Sequence, residues 1–237
     1  MPWSPLRSLL RRPGLSALAV IALGLGIGLT TTMFSIVNGV MLRGLPFEQP
    51  DRIVVVGSYD AKRPEPPRPG GMTVVDFFDL RAAQRSFEGV AAAYSSGTDI
   101  VLTGPDGIPL KYEGARLTAD ALQVLRAAPI KGRGFTEADA QPGAPKVLLI
   151  AESIWNGQFR SDPDIIGRVV QANGEPGTIV GVMPASFGFP EHEAAWTPLT
   201  IGGGTDSKIT LEVFGRLRAG VSMPAANAGL AKSGGKG

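Results

Sequence analysis

The chain has 237 residues, no cysteine and a single histidine, His192. Without cysteine the protein has no disulfide framework, no thiolate nucleophile and no cysteine-ligated zinc site. One histidine excludes the metal motifs that need two, and it argues against a histidine-based catalytic pair. Hydrophobic residues make up 43% of the chain, which is enough for a core and excludes a wholly disordered protein.

The net charge of +2 is unevenly distributed along the sequence. Residues 1–43 contain four arginines and no acidic residue, and the rest of the chain holds the other 19 basic and all 21 acidic side chains. The excess of positive charge therefore belongs to the N-terminal segment. This distribution does not favour a nucleic-acid-binding surface. Arginines beside an apolar run indicate a membrane instead.

A run of 30 residues without a charge lies between Arg12 and Arg43. About 20 apolar residues are enough to cross a bilayer as a helix, so we predict a transmembrane helix over residues 13–42. A cleaved signal peptide is the alternative, but its apolar region has only about 7–15 residues. Because Arg7 and Arg11 precede the run, we predict a cytoplasmic N-terminus and an extracytoplasmic body.

Two features of this region concern contacts with the membrane. Residues 1–12 place leucines on one helical face and arginines on another, which is typical of a short amphipathic helix on the cytoplasmic surface or of ordinary flanking charge. Gly24 and Gly28 are four residues apart in the predicted span, so a second membrane helix can approach closely there. We assign Gly24 and Gly28 to membrane-helix packing, with simple tolerance of glycine as the alternative.

After the span, the body begins with an apolar strand over residues 53–56 and a loop rich in proline and glycine over residues 60–72. Thr73 is the predicted N-cap of a helix over residues 74–85. The spacing of its apolar residues predicts a buried stripe of Val74, Phe77 and Phe78.

Further strands and short helices follow in irregular order. Residues 99–103 and 110–117 are predicted to form a hairpin, and Asn173-Gly174 is the turn signal of a second hairpin. Thr118 and Ser153 are the predicted caps of two short helices, which cover residues 119–126 and 154–159. The other predicted elements are strands at residues 89–94, 146–151, 169–172, 178–182 and from 209 onwards, and a last helix after Ser222. This order predicts an α+β body.

No motif for catalysis or for a cofactor occurs in the sequence. There is no P-loop and no G-x-S-x-G turn. The cluster Glu191-His192-Glu193 lacks the further ligands that a metal needs, and a solvated loop explains it better. Asp76 and Asp79 lie in the first turn of a predicted helix, where the helix dipole explains them. We therefore predict a protein that is not an enzyme and has no catalytic residue, cofactor or metal.

An ordered set of short motifs resembles one protein family. The set begins with Arg-Arg-Pro-Gly-Leu at the start of the predicted span, and it continues through the segments Asn38–Pro46, Asp51–Val55, Asp76–Arg81, Gly132–Phe135, Val180–Pro184 and Gly215–Val221. Together these motifs resemble the MacB-like periplasmic core domain of FtsX-like ABC transporter permeases, especially the duplicated permeases of that group. The resemblance extends over nearly the whole chain, from about residue 9 to residue 230.

The resemblance implies an inner-membrane permease subunit that works with a separate ABC ATPase. In the family, a membrane helix leads into a periplasmic domain, and ATP-driven motion is passed to that domain for efflux or a related export. The resemblance also implies a two-part α/β domain, in which residues 118–207 are a smaller subdomain inserted into a porter-like part formed by residues 46–117 and 208–232. Residues 233–237 are a tail. The implied partners are the ATPase, other permease helices or a second copy, and a periplasmic protein.

Members of the family continue into at least three further membrane helices, whereas this sequence has one predicted span. We therefore expect a part of a longer permease or a subunit that other chains complete. Two other functions stay open at this point. A single-pass extracytoplasmic binding or sensor module agrees with the single span. A membrane-anchored hydrolase would need two carboxylates that converge in a cleft.

Overall fold

The computed structural model describes residues 48–57, 71–201 and 209–233. These residues belong to one compact unit, Pro46–Gly237. Within the three described ranges, no helix is long and apolar enough to cross a membrane. The predicted cytoplasmic segment 1–12 and the predicted span 13–42, with Gly24 and Gly28, lie outside the described residues.

The described residues form one mixed sheet with short helices packed against it, so the predicted mixture of α and β structure is confirmed. The strand order is β1-β11-β2-β5-β10-β7-β9-β8-β3-β4, and β6 pairs with β9. The strands are β1 (Ile53–Val56), β2 (Phe87–Tyr94), β3 (Ile100–Thr103), β4 (Pro109–Tyr112), β5 (Gly114–Leu117), β6 (Lys131–Gly132), β7 (Val147–Ala151), β8 (Val169–Ala172), β9 (Glu175–Met183), β10 (Ala195–Pro198) and β11 (Glu212–Leu217). The helices are α1 (Val74–Ala83), α2 (Ala121–Leu125), α3 (Glu152–Gly157) and α4 (Met223–Ser233).

The middle of the sheet is buried on both faces, which explains its continuous apolar strands. Every residue of β7 is buried. Val147 and Leu149 face a cluster that includes α2, whereas Leu148 and Ile150 face the cluster that includes α3. Around β1, β2 and β11, a separate cluster joins the sheet to α1 and α4. The predicted buried strand at residues 146–151 is therefore confirmed.

Both predicted hairpins are present, but one of their strands is divided. The hairpin of β8 and β9 turns at Asn173 and Gly174, whose φ angles of 52° and 79° agree with the turn predicted from Asn-Gly. The single strand predicted at residues 110–117 is wrong, because the chain changes partners at Glu113. Before Glu113, β4 pairs with β3, and after it β5 pairs with β2 and, in parallel, with β10.

The first helix confirms its predicted cap but not its predicted buried stripe. The backbone N–H of Asp76 donates to Thr73 Oγ1 at 3.2 Å. Val74 and Phe77 are buried, but Phe78 is 44% exposed, so its placement in the stripe was wrong. Successive residues of a helix are about 100° apart, so Phe78 is turned away from the sheet that Phe77 contacts.

The two other predicted caps are wrong. The Thr118 hydroxyl accepts a hydrogen bond from the backbone N–H of Ala92 in β2 at 3.1 Å, and α2 begins three residues later, after Asp120. Ser153 lies inside α3, which begins at Glu152. In both places a cap was inferred from residue type alone, whereas the strand ends set where the helices begin. The last strand also begins later than predicted, since Leu211 forms only an isolated bridge with Met72.

Candidate functional site

The start and the end of the described domain come together at one end of the sheet. Strand β1 is antiparallel to β11, and Ile53 at the start of β1 lies opposite Arg216 near the end of β11. The chain that enters β1 and the chain that leaves β11 are therefore neighbours. The start of β1 and the end of β11 therefore lie at the same end of the sheet.

A buried arginine lies at this place. Arg216 is only 1% exposed, and its Nε donates to the carbonyl oxygen of Val124 in α2 at 2.7 Å. Its Nη1 donates to the carbonyl oxygen of Glu48 at 2.9 Å, while Nη2 has no hydrogen-bond partner among the described residues. Burial is the main cause that lowers the pKa of Arg216, and the nearby Arg126 and Arg52 add to it. A buried arginine thus holds the first described residue of the domain against α2.

Two further arginines join the same segment to the sheet. Arg52 Nε donates to the carbonyl oxygen of Leu217 at 2.9 Å, and Arg52 also forms an ion pair with Glu88 in β2. Arg126, which follows α2, forms ion pairs with Glu48 at 2.7 Å and with Glu88 at 3.3 Å. Glu88 therefore bridges two arginines, and the hydrogen bond from Arg52 lowers its pKa. We call this group the arginine junction: Glu48, Arg52, Glu88, Arg126 and Arg216.

The backbone of the junction has an uncommon conformation at two positions. Gln49 and Arg126 have φ angles of 53° and 52°, in the left-handed region that residues other than glycine seldom adopt. The side-chain oxygen of Gln49 accepts a hydrogen bond from Arg52 Nη1 at 2.8 Å. The backbone carbonyl oxygen of Gln49 accepts one from the backbone N–H of Arg52 at 3.1 Å. The hydrogen bonds from Arg52 thus stabilise an otherwise unfavourable backbone conformation at Gln49.

The junction joins elements that are distant in the sequence. It links residues 48–52 to α2, β2 and β11 through bonds whose partners are far apart in the sequence. In the described ranges there is no group of three or more His, Cys, Asp or Glu side chains that could hold a metal ion. Its chemistry, five charged side chains around backbone carbonyls, serves to hold the incoming chain.

Two of the carboxylates that the sequence singled out, Asp76 and Glu193, have structural partners. Thr73 Oγ1 donates to Asp76 Oδ2 at 2.8 Å, which completes the cap of α1. Glu193 is buried, and its Oε2 accepts from the backbone N–H of Glu191 at 2.7 Å, so it orders the loop before β10. Burial raises the pKa of Glu193.

Sequence reasoning did not find the junction. Gly24 and Gly28, the predicted packing residues, lie outside the described residues. Arg52 and Arg216 were noted only within motifs, and Arg126 only as the end of a predicted helix. One signal was available, since Arg216 stands between the apolar residues Val213, Phe214 and Leu217, where an arginine is uncommon.

A mixed α/β domain of this kind is known from extracytoplasmic parts of ABC-type transporter permeases. The periplasmic region of MacB from Actinobacillus actinomycetemcomitans shares the fold with a TM-score of 0.54 and 14% identity, over 76% of this chain and 80% of that chain. A domain assigned to a permease protein of Porphyromonas gingivalis gives a TM-score of 0.57 and 16% identity, over 78% of this chain and 84% of that one. The extracellular domain of the ABC-type transporter YknZ from Gram-positive bacteria gives 0.51 and 15%, over 75% and 86%.

The sequence comparison identifies the family. Residues 16–233 match the MacB-like periplasmic core domain, and the chain belongs to that family. No curated protein matches the sequence. The resemblance inferred from the ordered motifs is therefore confirmed, and the described residues are a MacB-like periplasmic domain of an ABC-type transporter permease.

Proposed function

We propose that the chain is the N-terminal part of an inner-membrane permease subunit that passes ATPase-driven motion to its periplasmic domain, in efflux or a related export. The observation that carries the proposal is the arginine junction. It fixes residues 48–52, the first described residues of the domain, to α2, β2 and β11, and this end of the sheet is where motion passed along the chain from the predicted span would enter the domain. The family match supports the same role.

The proposed partners follow from this role. They are a separate ABC ATPase, other permease helices or a second copy of the chain, and a periplasmic protein. The test is to purify the tagged full-length chain in mild detergent from its host membranes. We expect an ABC ATPase to copurify in about equal amount. A single-pass binding or sensor module is the second candidate, and it predicts no ATPase in the purified material.

The proposed topology has residues 1–12 in the cytoplasm, residues 13–42 across the membrane and the domain in the periplasm. The uncharged run and the arginines before it support this arrangement. A reporter that is active only in the periplasm should be active when fused after Leu45, and a cytoplasmic reporter at the same position should be inactive. A mature N-terminus beyond residue 25 would show a cleaved signal peptide instead.

The proposed role of Gly24 and Gly28 is close packing of the span against another membrane helix. Replacing both by leucine should weaken the association of this segment with its partner, because the added side chains hold the helix backbones apart. The measurement is a two-hybrid assay for membrane helices. Ala17→Leu combined with Ala19→Leu is the matched control, since it adds similar bulk elsewhere in the span. Equal association of the glycine variant and the control would contradict the packing role.

We also propose the two-part organisation, with residues 118–207 inserted into a part formed by 46–117 and 208–232. It is supported by the buried cluster that α1 and α4 share with β1, β2 and β11. A chain that stops after Ser207 lacks β11, and we expect limited proteolysis to cut its first part rapidly while residues 118–207 stay protected. Equal protection of both parts would contradict the division.

A further inference from the structure

A cleft separate from the arginine junction lies where β7 and β3 begin and where β8 and β10 end. It has a volume of about 270 Å³. Its floor consists of the buried side chains of Ile100, Leu148 and Ala172. Sites for small-molecule ligands usually have about 300–1,000 Å³, so this cleft is small for a cofactor. It has room for one or two amino-acid side chains, and its apolar floor selects apolar ones.

The acidic side chains that line the cleft already have partners. Asp99 forms an ion pair with Lys111 at 2.7 Å. Asp139 forms an ion pair with Arg133 at 2.6 Å, and this interaction lowers the pKa of Asp139 to about 2. Both carboxylates are thus neutralised by cations of the same chain. Neither of them is left to attract a positively charged ligand.

The two basic side chains that line the cleft differ from each other. Lys146 forms an ion pair with Glu175. Arg116 is exposed and has no carboxylate partner in the described parts of the chain. Its guanidinium carbon lies 6.0 Å from the centre of the Tyr94 ring, within the range of a cation–π interaction. Arg116 is therefore the one charged group of the lining without an opposite charge within the described residues.

The position of Arg116 is fixed by its strand. In the sheet it lies between Tyr94 of β2 and Thr197 of β10, which are its direct cross-strand neighbours. Side chains that are directly opposite in neighbouring strands point to the same face. The guanidinium is therefore presented beside the ring of Tyr94 and the hydroxyl of Thr197, which also lines the cleft.

We propose that this cleft binds an acidic peptide segment of an extracytoplasmic partner protein. An apolar side chain of the segment packs on the floor of Ile100, Leu148 and Ala172, and a neighbouring Asp or Glu pairs with Arg116. Charge complementarity selects this occupant, because the only unpaired charge of the lining in the described ranges is positive. The inference deepens the proposed function, since it gives a place and a chemistry for the periplasmic partner.

The test measures binding of a labelled peptide to the full-length chain in detergent. The probe is a ten-residue fluorescein-labelled peptide with a central Leu-Asp-Leu, and fluorescence anisotropy reports its binding. We expect saturable binding that becomes at least tenfold weaker when the peptide carries Leu-Asn-Leu. Arg116→Gln should weaken binding of the Asp peptide by a similar factor and leave binding of the Asn peptide nearly unchanged. Arg85→Gln, which removes an exposed arginine outside the cleft, is the matched control.

The chain has no native cysteine, so a single introduced cysteine can test where the peptide binds. With Thr200→Cys at the rim of the cleft, a bromoacetyl group on the Asp peptide should form a covalent adduct at that single position, and unlabelled Asp peptide should suppress it. Equal binding of the Asp and Asn peptides, or unchanged binding to Arg116→Gln, would overturn the proposal. Competition by N-acetyl-aspartate at the peptide's own concentration would assign the cleft to a small carboxylate and also overturn it.

The assay also distinguishes a second copy of the chain from a partner peptide. In the same assay the protein concentration is raised while the labelled peptide is held constant. A fall in anisotropy at high protein concentration would show that a second copy of the chain displaces the peptide, and it would overturn the proposal. The assay contains no ATPase and no ATP, so a failure of the proposed permease role does not change its result. Thermal unfolding of each variant verifies that Arg116→Gln is folded, so a loss of binding reports the cleft itself.

Discussion

Replacing Arg216 by alanine should lower the free energy of unfolding by about 3 kcal/mol. The change removes the hydrogen bonds to the carbonyl oxygens of Val124 and Glu48 and leaves space where a large side chain was fully buried. The measurement is denaturant unfolding of the full-length chain in detergent, followed by tryptophan fluorescence. Trp196 is completely buried and therefore reports loss of the folded core.

Two other substitutions make this prediction specific. Arg218→Ala is the matched control, because Arg218 is exposed and donates one hydrogen bond, to the carbonyl oxygen of Arg85. It should cost less than about 0.5 kcal/mol. Arg216→Met should retain much more stability than Arg216→Ala, since replacing a buried charge by an apolar side chain of similar length avoids its desolvation. If Arg216→Ala and Arg218→Ala lose equal amounts, the junction does not hold the domain together.

Arg216→Met also separates stability from function. If the junction transmits motion, a folded Arg216→Met chain should still copurify with the proposed ATPase. Unlike the unchanged chain, it should no longer alter the rate at which that ATPase hydrolyses ATP. The hydrogen bonds of Arg216 to the carbonyl oxygens of Glu48 and Val124 are then missing, while the fold is kept.

Replacing Gly132 by alanine should destabilise the domain by more than about 3 kcal/mol. Gly132 has a φ angle of 74°, and a Cβ built there would overlap the carbonyl oxygen of Val180 in the neighbouring strand β9. That oxygen belongs to the backbone of a paired strand, so it cannot move aside as a flexible side chain would. The loss should appear in the same unfolding measurement.

Gly174 provides the matched control for this change. Its φ angle is 79°, close to that of Gly132, but a Cβ built there has no atom within 4 Å. Gly174→Ala should therefore cost only about 1 kcal/mol, which is the conformational part of the penalty. Losses of the same size at both positions would mean that the backbone contact with Val180 does not contribute.

Elements that depend on neighbouring residues were predictable from the sequence. The four apolar residues of β1 and the five of β7 form strands as expected, and Asn173-Gly174 makes the expected turn. The division at Glu113 was not predicted, because a single glycine, Gly114, is a weak signal for a break within residues 110–117. The division is set by the pairing of β5 with β2 and β10. These partners are distant in the sequence, since Pro198 of β10 lies opposite Leu117 of β5 although 81 positions separate them.

The arginine junction could not be predicted from local sequence patterns for the same reason. The hydrogen bonds of Arg216 join residues that are 92 and 168 positions apart. No periodicity or spacing rule connects residues at such separations. The sequence places Arg216 between Phe214 and Leu217, but its hydrogen-bond partners became known only when the sheet order was known.

The position of β11 in the sheet also has a consequence for synthesis of the protein. Strand β11 lies between β1 and β2, yet it is made more than 100 residues after both of them. A ribosome adding about 5–20 residues per second leaves these two strands without their common neighbour for several seconds. Their facing edges are open to pairing with other chains during that interval. A growing chain that emerges on the far side of a membrane would therefore benefit from a chaperone that covers residues 53–94 until the last strand arrives.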